Sequence, residues 1–135
     1  MLRYIPFLIF PLAVYALLVL VSGGHMADEL SGQVFAVGLA SGVQWRLNLG
    51  EALVGLAIVC QAMEIIRSAR PTNAALLENM AGLIIWIVGF IMFLAVPGFG
   101  TSAFALMLLL LLADYITDSA VMVFTAKRSI GGFGR

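Results

Sequence analysis

Charge is what this chain has least of. Asp, Glu, Lys and Arg make up only 10% of its 135 residues, against about 25% in an ordinary soluble domain. With 63% hydrophobic residues and a mean hydropathy of +1.12, the composition excludes a soluble globular domain and reads as an integral membrane protein. Cysteine is nearly absent too. Cys60 stands alone inside an apolar run, which excludes an intramolecular disulfide and leaves a small packing residue as its expected role. His25 is the single histidine, so no histidine pair can hold a metal, and His25, Asp28 and Glu29 together are too few ligands for a site. There is no Gly-rich loop opening a helix after a strand and no nucleophile elbow. The sequence therefore predicts no enzymatic activity, no metal, no cofactor and no nucleic-acid partner.

What fills the chain instead is a set of long apolar runs. Four are long enough to cross a hydrocarbon core of ~30 Å, which takes ~20 residues of helix. They cover approximately residues 4–21, 49–66, 74–96 and 103–126. These predict an all-α membrane protein, a four-helix transmembrane bundle forming one domain over residues 1–135. Pro6 is tolerable in an opening turn, whereas Pro11 is expected to kink the first span. Ser22-Gly23-Gly24 closes that span, Pro97-Gly98-Phe99-Gly100 stops the third, and Thr101 or Ser102 is placed to cap the fourth.

Basic residues orient the bundle. Arg3, Arg67, Arg70, Lys127, Arg128 and Arg135 fall on one side of the four spans and Arg46 on the other, so the first side, with both termini, is cytoplasmic by the positive-inside rule. The expected location is a membrane crossed several times. A cleaved signal peptide over residues 1–24 is the competing reading. It is disfavoured because the apolar stretch exceeds the usual h-region of about 7–15 residues.

The longest connection, residues 22–48, has a period of two. Phe35, Val37 and Leu39 alternate up to Ser41-Gly42, and Val43, Trp45 and Leu47 alternate away from it, which predicts a short β-hairpin over approximately 34–47 on the outer, periplasmic face. Its apolar side belongs on the bundle end or in the headgroup zone, where Trp45 would be at home. A cap packed on the bundle is favoured over a lid or docking surface, since a two-stranded ribbon needs support.

The acidic residues carry the remaining information. A charged carboxylate at bilayer mid-depth costs about 2.5–3.5 kcal/mol, so it needs a partner, a proton or water. Counting 1.5 Å per residue puts Asp114 and Asp118 roughly 18 and 24 Å below the outer end of the fourth span, and Gln61 and Glu64 roughly 19 and 24 Å along the second. The two pairs are level. Glu78 and Asn79 belong to the inner half of the third span. If the faces meet, Asp114, Asp118, Glu64, Gln61, Glu78 and Asn79 form a polar cluster in the cytoplasmic half, rimmed by Arg67, Arg70, Lys127 and Arg128.

Two readings of that cluster compete. In one it locks helices together, with Glu64 and Glu78 paired to Arg67 or Arg70. In the other, Asp114 is a protonatable transport site supported by Asp118, Glu64 and Gln61. From mid-bilayer outward the spans offer little beyond apolar side chains, Tyr15 and Glu51, so a conducting path would stop half way. A divalent cation acting on a lipid phosphate is disfavoured, because its carboxylates should lie near an interface. Glu51 is expected to serve only the dipole of the second span.

Four stretches, Phe35-Ala-Val-Gly-Leu-Ala-Ser41-Gly42-Val-Gln-Trp45, Leu49-Gly50-Glu51, Glu64-Ile-Ile-Arg67-Ser-Ala-Arg70 and Val96-Pro-Gly-Phe-Gly-Thr101-Ser102, resemble a group of small four-span inner-membrane proteins of proteobacteria. The resemblance covers most of the chain from residue 35 onward and implies an inner-membrane location, with no activity attached to the group. Asp118 departs from its pattern, which has one acidic residue in the last span. The sequence as a whole predicts an accessory or assembly subunit in the lipid bilayer, packing with another membrane protein or with itself; transport of protons or cations is the alternative.

Overall fold

The computed structural model of the chain describes residues 6–23, 25–68 and 75–131, with the backbone alone at 27, 67–68, 75–78 and 125–131. The fold is mostly helical. In chain order the elements are α1 (Ile9–Ser22), α2 (Met26–Leu30), β1 (Gln33–Gly38), β2 (Gln44–Asn48), α3 (Leu49–Ser68), α4 (Ala75–Ala95) and α5 (Ser102–Gly131). Two stretches, Leu49–Ile66 in α3 and Ser102–Phe124 in α5, are long and apolar enough to cross a membrane by length and composition. The apolar parts of α1 (Ile9–Ser22) and α4 (Asn79–Ala95) are shorter among the described residues.

Helix α1 starts later than the apolar run. The amides of Ile9 and Phe10 donate to the carbonyls of Pro6 and Phe7, a tight turn that precedes the helix proper. Pro11 consequently falls in the first turn of α1, where its missing N–H removes no bond the helix would have made. The kink expected from it is therefore not required. Helix α2 is a second departure from a four-helix reading: one and a half turns in the connection, too short to show a period.

Helix α3 opens with a reciprocal cap. The Glu51 amide donates to Asn48 Oδ1 at 2.8 Å and the Asn48 amide donates to Glu51 Oε2 at 3.1 Å, which satisfies two otherwise unpaired donors at the helix start. Glu51 is thus a capping residue rather than a bare charge near the dipole. Thr101 does the same for α5, its Oγ1 accepting from the Phe104 amide at 3.3 Å.

Helix α5 is the centre of the assembly, packing on α3 along one side and α4 along the other, with α1 set mainly against α3. Helices α3 and α5 run parallel and start together: a Cβ on Gly50 would lie 3.5 Å from that of Ala103. At this end, the hairpin end, Tyr15 is fully buried and stacks at a tilt on Phe99 and Phe104, their ring centroids 5.7 and 4.8 Å away. Its hydroxyl donates to the Gly98 carbonyl at 2.9 Å and shares a short hydrogen bond with Thr101 Oγ1. Gly98 has φ +93° and a Cβ there would meet Val19 Cγ1 at 3.0 Å, so both backbone conformation and space call for glycine in the turn beneath α1.

The strands pair antiparallel, Phe35 opposite Leu47 and Val37 opposite Trp45, with a bulge between Gln33 and Phe35. The ladder closes through Leu39 and Val43, and Gly42 (φ +82°) turns the chain. Both strands are exposed over most of their length. The expectation of a cap packed on the bundle end is not met among the described residues: the apolar side chains of the ribbon stay largely exposed, and the ribbon joins the helices at its root, where the Leu49 amide donates to the Gly32 carbonyl at 3.0 Å.

Candidate functional site

The parallel, level start of α3 and α5 decides what meets what further down. Gln61 and Asp114 lie the same number of residues beyond Gly50 and Ala103, and because both helices rise 1.5 Å per residue their side chains arrive together. Gln61 Nε2 donates to Asp114 Oδ1 at 2.7 Å. Asp114 is 6% exposed and Glu64 4% exposed, which makes them the buried acidic pair of the described residues.

Glu64, one turn past Gln61, turns to a different partner. Its Oε2 accepts the Phe7 amide at 2.6 Å, a main-chain donor just ahead of α1 that the helix itself cannot use. The positive end of the α1 dipole favours a carboxylate there. On the other side of α5, Asn79 Nδ2 donates to Ser119 Oγ at 2.9 Å and approaches Met122 Sδ. A narrow cavity of about 10 Å³ runs among Pro6, Glu64, Asn79, Asp114, Tyr115 and Asp118, on the order of the least space that admits one water. Gln61 Oε1 and Asn79 Oδ1 are buried with no hydrogen-bond partner among the described residues.

Of the residues singled out from the sequence, Gln61, Glu64, Asn79, Asp114 and Asp118 converge at the end opposite the hairpin. Glu78, Arg67, Arg70, Lys127 and Arg128 have side chains outside the described residues, as do the pairings of Glu64 or Glu78 with Arg67 or Arg70. Ser119, Tyr115, the Phe7 amide and the Pro6 ring join the site without having been anticipated. Ser119 had a legible signal, a small hydroxyl one position round the helix from Asp118 and so turned toward α4 rather than α3. The Phe7 amide had none, since its availability depends on where α1 begins.

Toward the hairpin the packing beyond Asp114 is apolar: Leu111, Met107, Leu108 and Phe104 on α5 and Ala57 and Leu53 on α3 are all buried, with Leu108 turned toward Gly89 of α4. A roomier groove of about 670 Å³ opens at the hairpin end beside Gly50, Val54, Ile58 and Leu106, away from every carboxylate of the cluster. The cluster can therefore bind helices to one another and hold a proton or a water molecule, and its hydrogen-bonded groups stop where the apolar core starts. Compared with known protein families, curated proteins and solved structures, the chain matches none of them.

Proposed function

We propose that the chain is a four-helix transmembrane bundle of the bacterial inner membrane, with α1, α3, α4 and α5 as its spans and both termini cytoplasmic, acting without enzymatic activity as an accessory or assembly subunit. The observation that carries this reading is how the helices divide their surface. Only 33% of the apolar window of α3 and 22% of that of α5 is buried within the chain, whereas the core helix of a soluble protein is buried on most sides. The outward faces bear Ile58, Val59, Ile84, Ile87, Ile91, Leu109 and Ile116, all exposed, more apolar surface than a soluble monomer carries. The alternating run of the spans and the resemblance to small four-span membrane proteins support the same reading.

The polar groups fit a locking role in this bundle. Asp114 and Glu64 accept hydrogen bonds from α3 and from the chain ahead of α1, and such bonds are worth about 0.6 kcal/mol on average between membrane helices. The partner is another membrane protein or a second copy. Purification in mild detergent after cross-linking in intact membranes tests this: a reproducible complex larger than the monomer is expected, and a bare monomer at every cross-linker length would overturn it.

One observation favours a second reading, proton or cation translocation. The cavity among Glu64, Asn79, Asp114 and Asp118 is about the least space that holds one water, and rotating the Gln61 amide would let its unpaired Oε1 accept a hydrogen bond from a protonated Asp114. In proteoliposomes this reading requires a flux from the purified wild type that Asp114→Asn abolishes. The apolar interior toward the hairpin argues for no flux.

A further inference from the structure

We infer that the hairpin is a lipid-binding element: its apolar face lies in the headgroup–acyl boundary of the leaflet into which the N-terminal end of α3 opens. This rests on the membrane-spanning reading of α3 and α5, and adds an interaction surface that the reading does not require.

The ribbon has two chemically distinct faces. Residues opposite one another in an antiparallel ladder share a face, which puts Phe35 with Leu47 and Val37 with Trp45 on one side, and Ala36 with Arg46 and Gly38 with Gln44 on the other. Leu39 and Val43 continue the first side to the tip by alternation. The other described residues leave that side open: Phe35 and Trp45 are each 50% exposed, with their rings meeting edge to face at 6.5 Å. A two-stranded ribbon is marginal in water without something against its apolar face.

Position in the chain selects the occupant. Strand β2 passes into α3 without a linker, Asn48 ending the strand and capping the helix. The root of the ribbon is therefore fixed where a membrane-spanning α3 meets the interface. Five residues of strand reach only about 17 Å, so the whole ribbon stays close to the headgroup layer. Lying down, it sinks Phe35, Val37 and Trp45 to the depth favoured by tryptophan and leaves Arg46 on the reverse face, level with lipid phosphates that its guanidinium complements. The face thus continues the lipid-facing surface of α3 beyond the helix.

Two single-tryptophan proteins test the proposal in vesicles of phosphatidylethanolamine and phosphatidylglycerol. Trp86→Phe leaves Trp45 as the reporter, and Trp45→Phe leaves Trp86, which stacks on Phe90 in α4 and reports on the membrane reading itself. Lipids brominated near the glycerol end of the acyl chain are expected to quench Trp45 about twofold, with deep bromines and aqueous iodide much weaker, as suits an interfacial tryptophan. Trp45 quenched by iodide and indifferent to brominated lipid would overturn the inference, leaving the membrane reading intact if Trp86 is quenched by bromolipid. Trp45 shielded from both quenchers would also overturn it, in favour of a protein cover. If bromolipid quenches neither tryptophan, the spanning reading fails and the inference fails with it.

Discussion

At the hairpin end of the helices, Tyr15, Phe99 and Phe104 interlock, and a phenol hydroxyl bonds to a backbone carbonyl and a capping threonine. At the opposite end the same helices meet through a carboxylate and an amide, a second carboxylate and a main-chain N–H, and an asparagine and a serine. The first end is held by shape and the second by directed polar contacts. Shape is costly to erase because each buried ring touches several neighbours at once. A polar pair in an apolar setting is worth little by itself and becomes costly only when one member is left behind.

The contrast can be broken first at Phe104, which is 2% exposed. Phe104→Ala should lower stability by about 3–5 kcal/mol, read by reversible unfolding in mixed detergent micelles with far-UV circular dichroism; a loss below about 1 kcal/mol would mean the aromatic end is no core. Next comes Asp114→Leu, which strands Gln61 Nε2 without its acceptor and should cost about 1–3 kcal/mol. Adding Gln61→Leu should return much of that loss, and a double-mutant cycle should give a coupling of roughly 0.6–1.7 kcal/mol; purely additive effects would remove the lock. Tyr15→Phe keeps the ring and deletes both hydroxyl contacts, with an expected loss of about 0.5–1.5 kcal/mol by the same unfolding assay. The smallest change belongs to Thr117→Ala. Thr117 is exposed and bonds back to the Ala113 carbonyl of its own helix at 2.8 Å, so its removal should stay within about 0.5 kcal/mol. A larger loss there would show that polar groups outside the contacts matter as much as those within.

How much of this was legible depended on whether a feature follows from counting. The convergence of Gln61 with Asp114 follows from equal depth along two helices that start side by side. The hairpin follows from alternation around Ser41-Gly42, and the Thr101 cap from a threonine three residues ahead of Phe104. What stayed hidden turned on the positions of other elements. Pro11 looked like a kink because the apolar run starts before the helix does. Met26–Leu30 is too short for periodicity to speak. Tyr15 read as an isolated polar interruption, since nothing local says that the turn after α4 folds under α1. The ribbon was expected to pack down on the bundle, yet among the described residues its apolar face is left open, because the strand runs straight into α3 and carries the ribbon past the helix end.

Tyr15 also imposes an order in time. Its hydroxyl partners lie 83 and 86 residues further along the chain, so during synthesis the phenol of the first helix has to wait, buried or unburied, until the last helix has begun to emerge. Contacts that distant in sequence close late. Gly98 and Thr101, which flank the turn into α5, act as a latch that arrives only after three of the four long helices, and a nascent chain halted before them would hold α1 with its tyrosine unanswered.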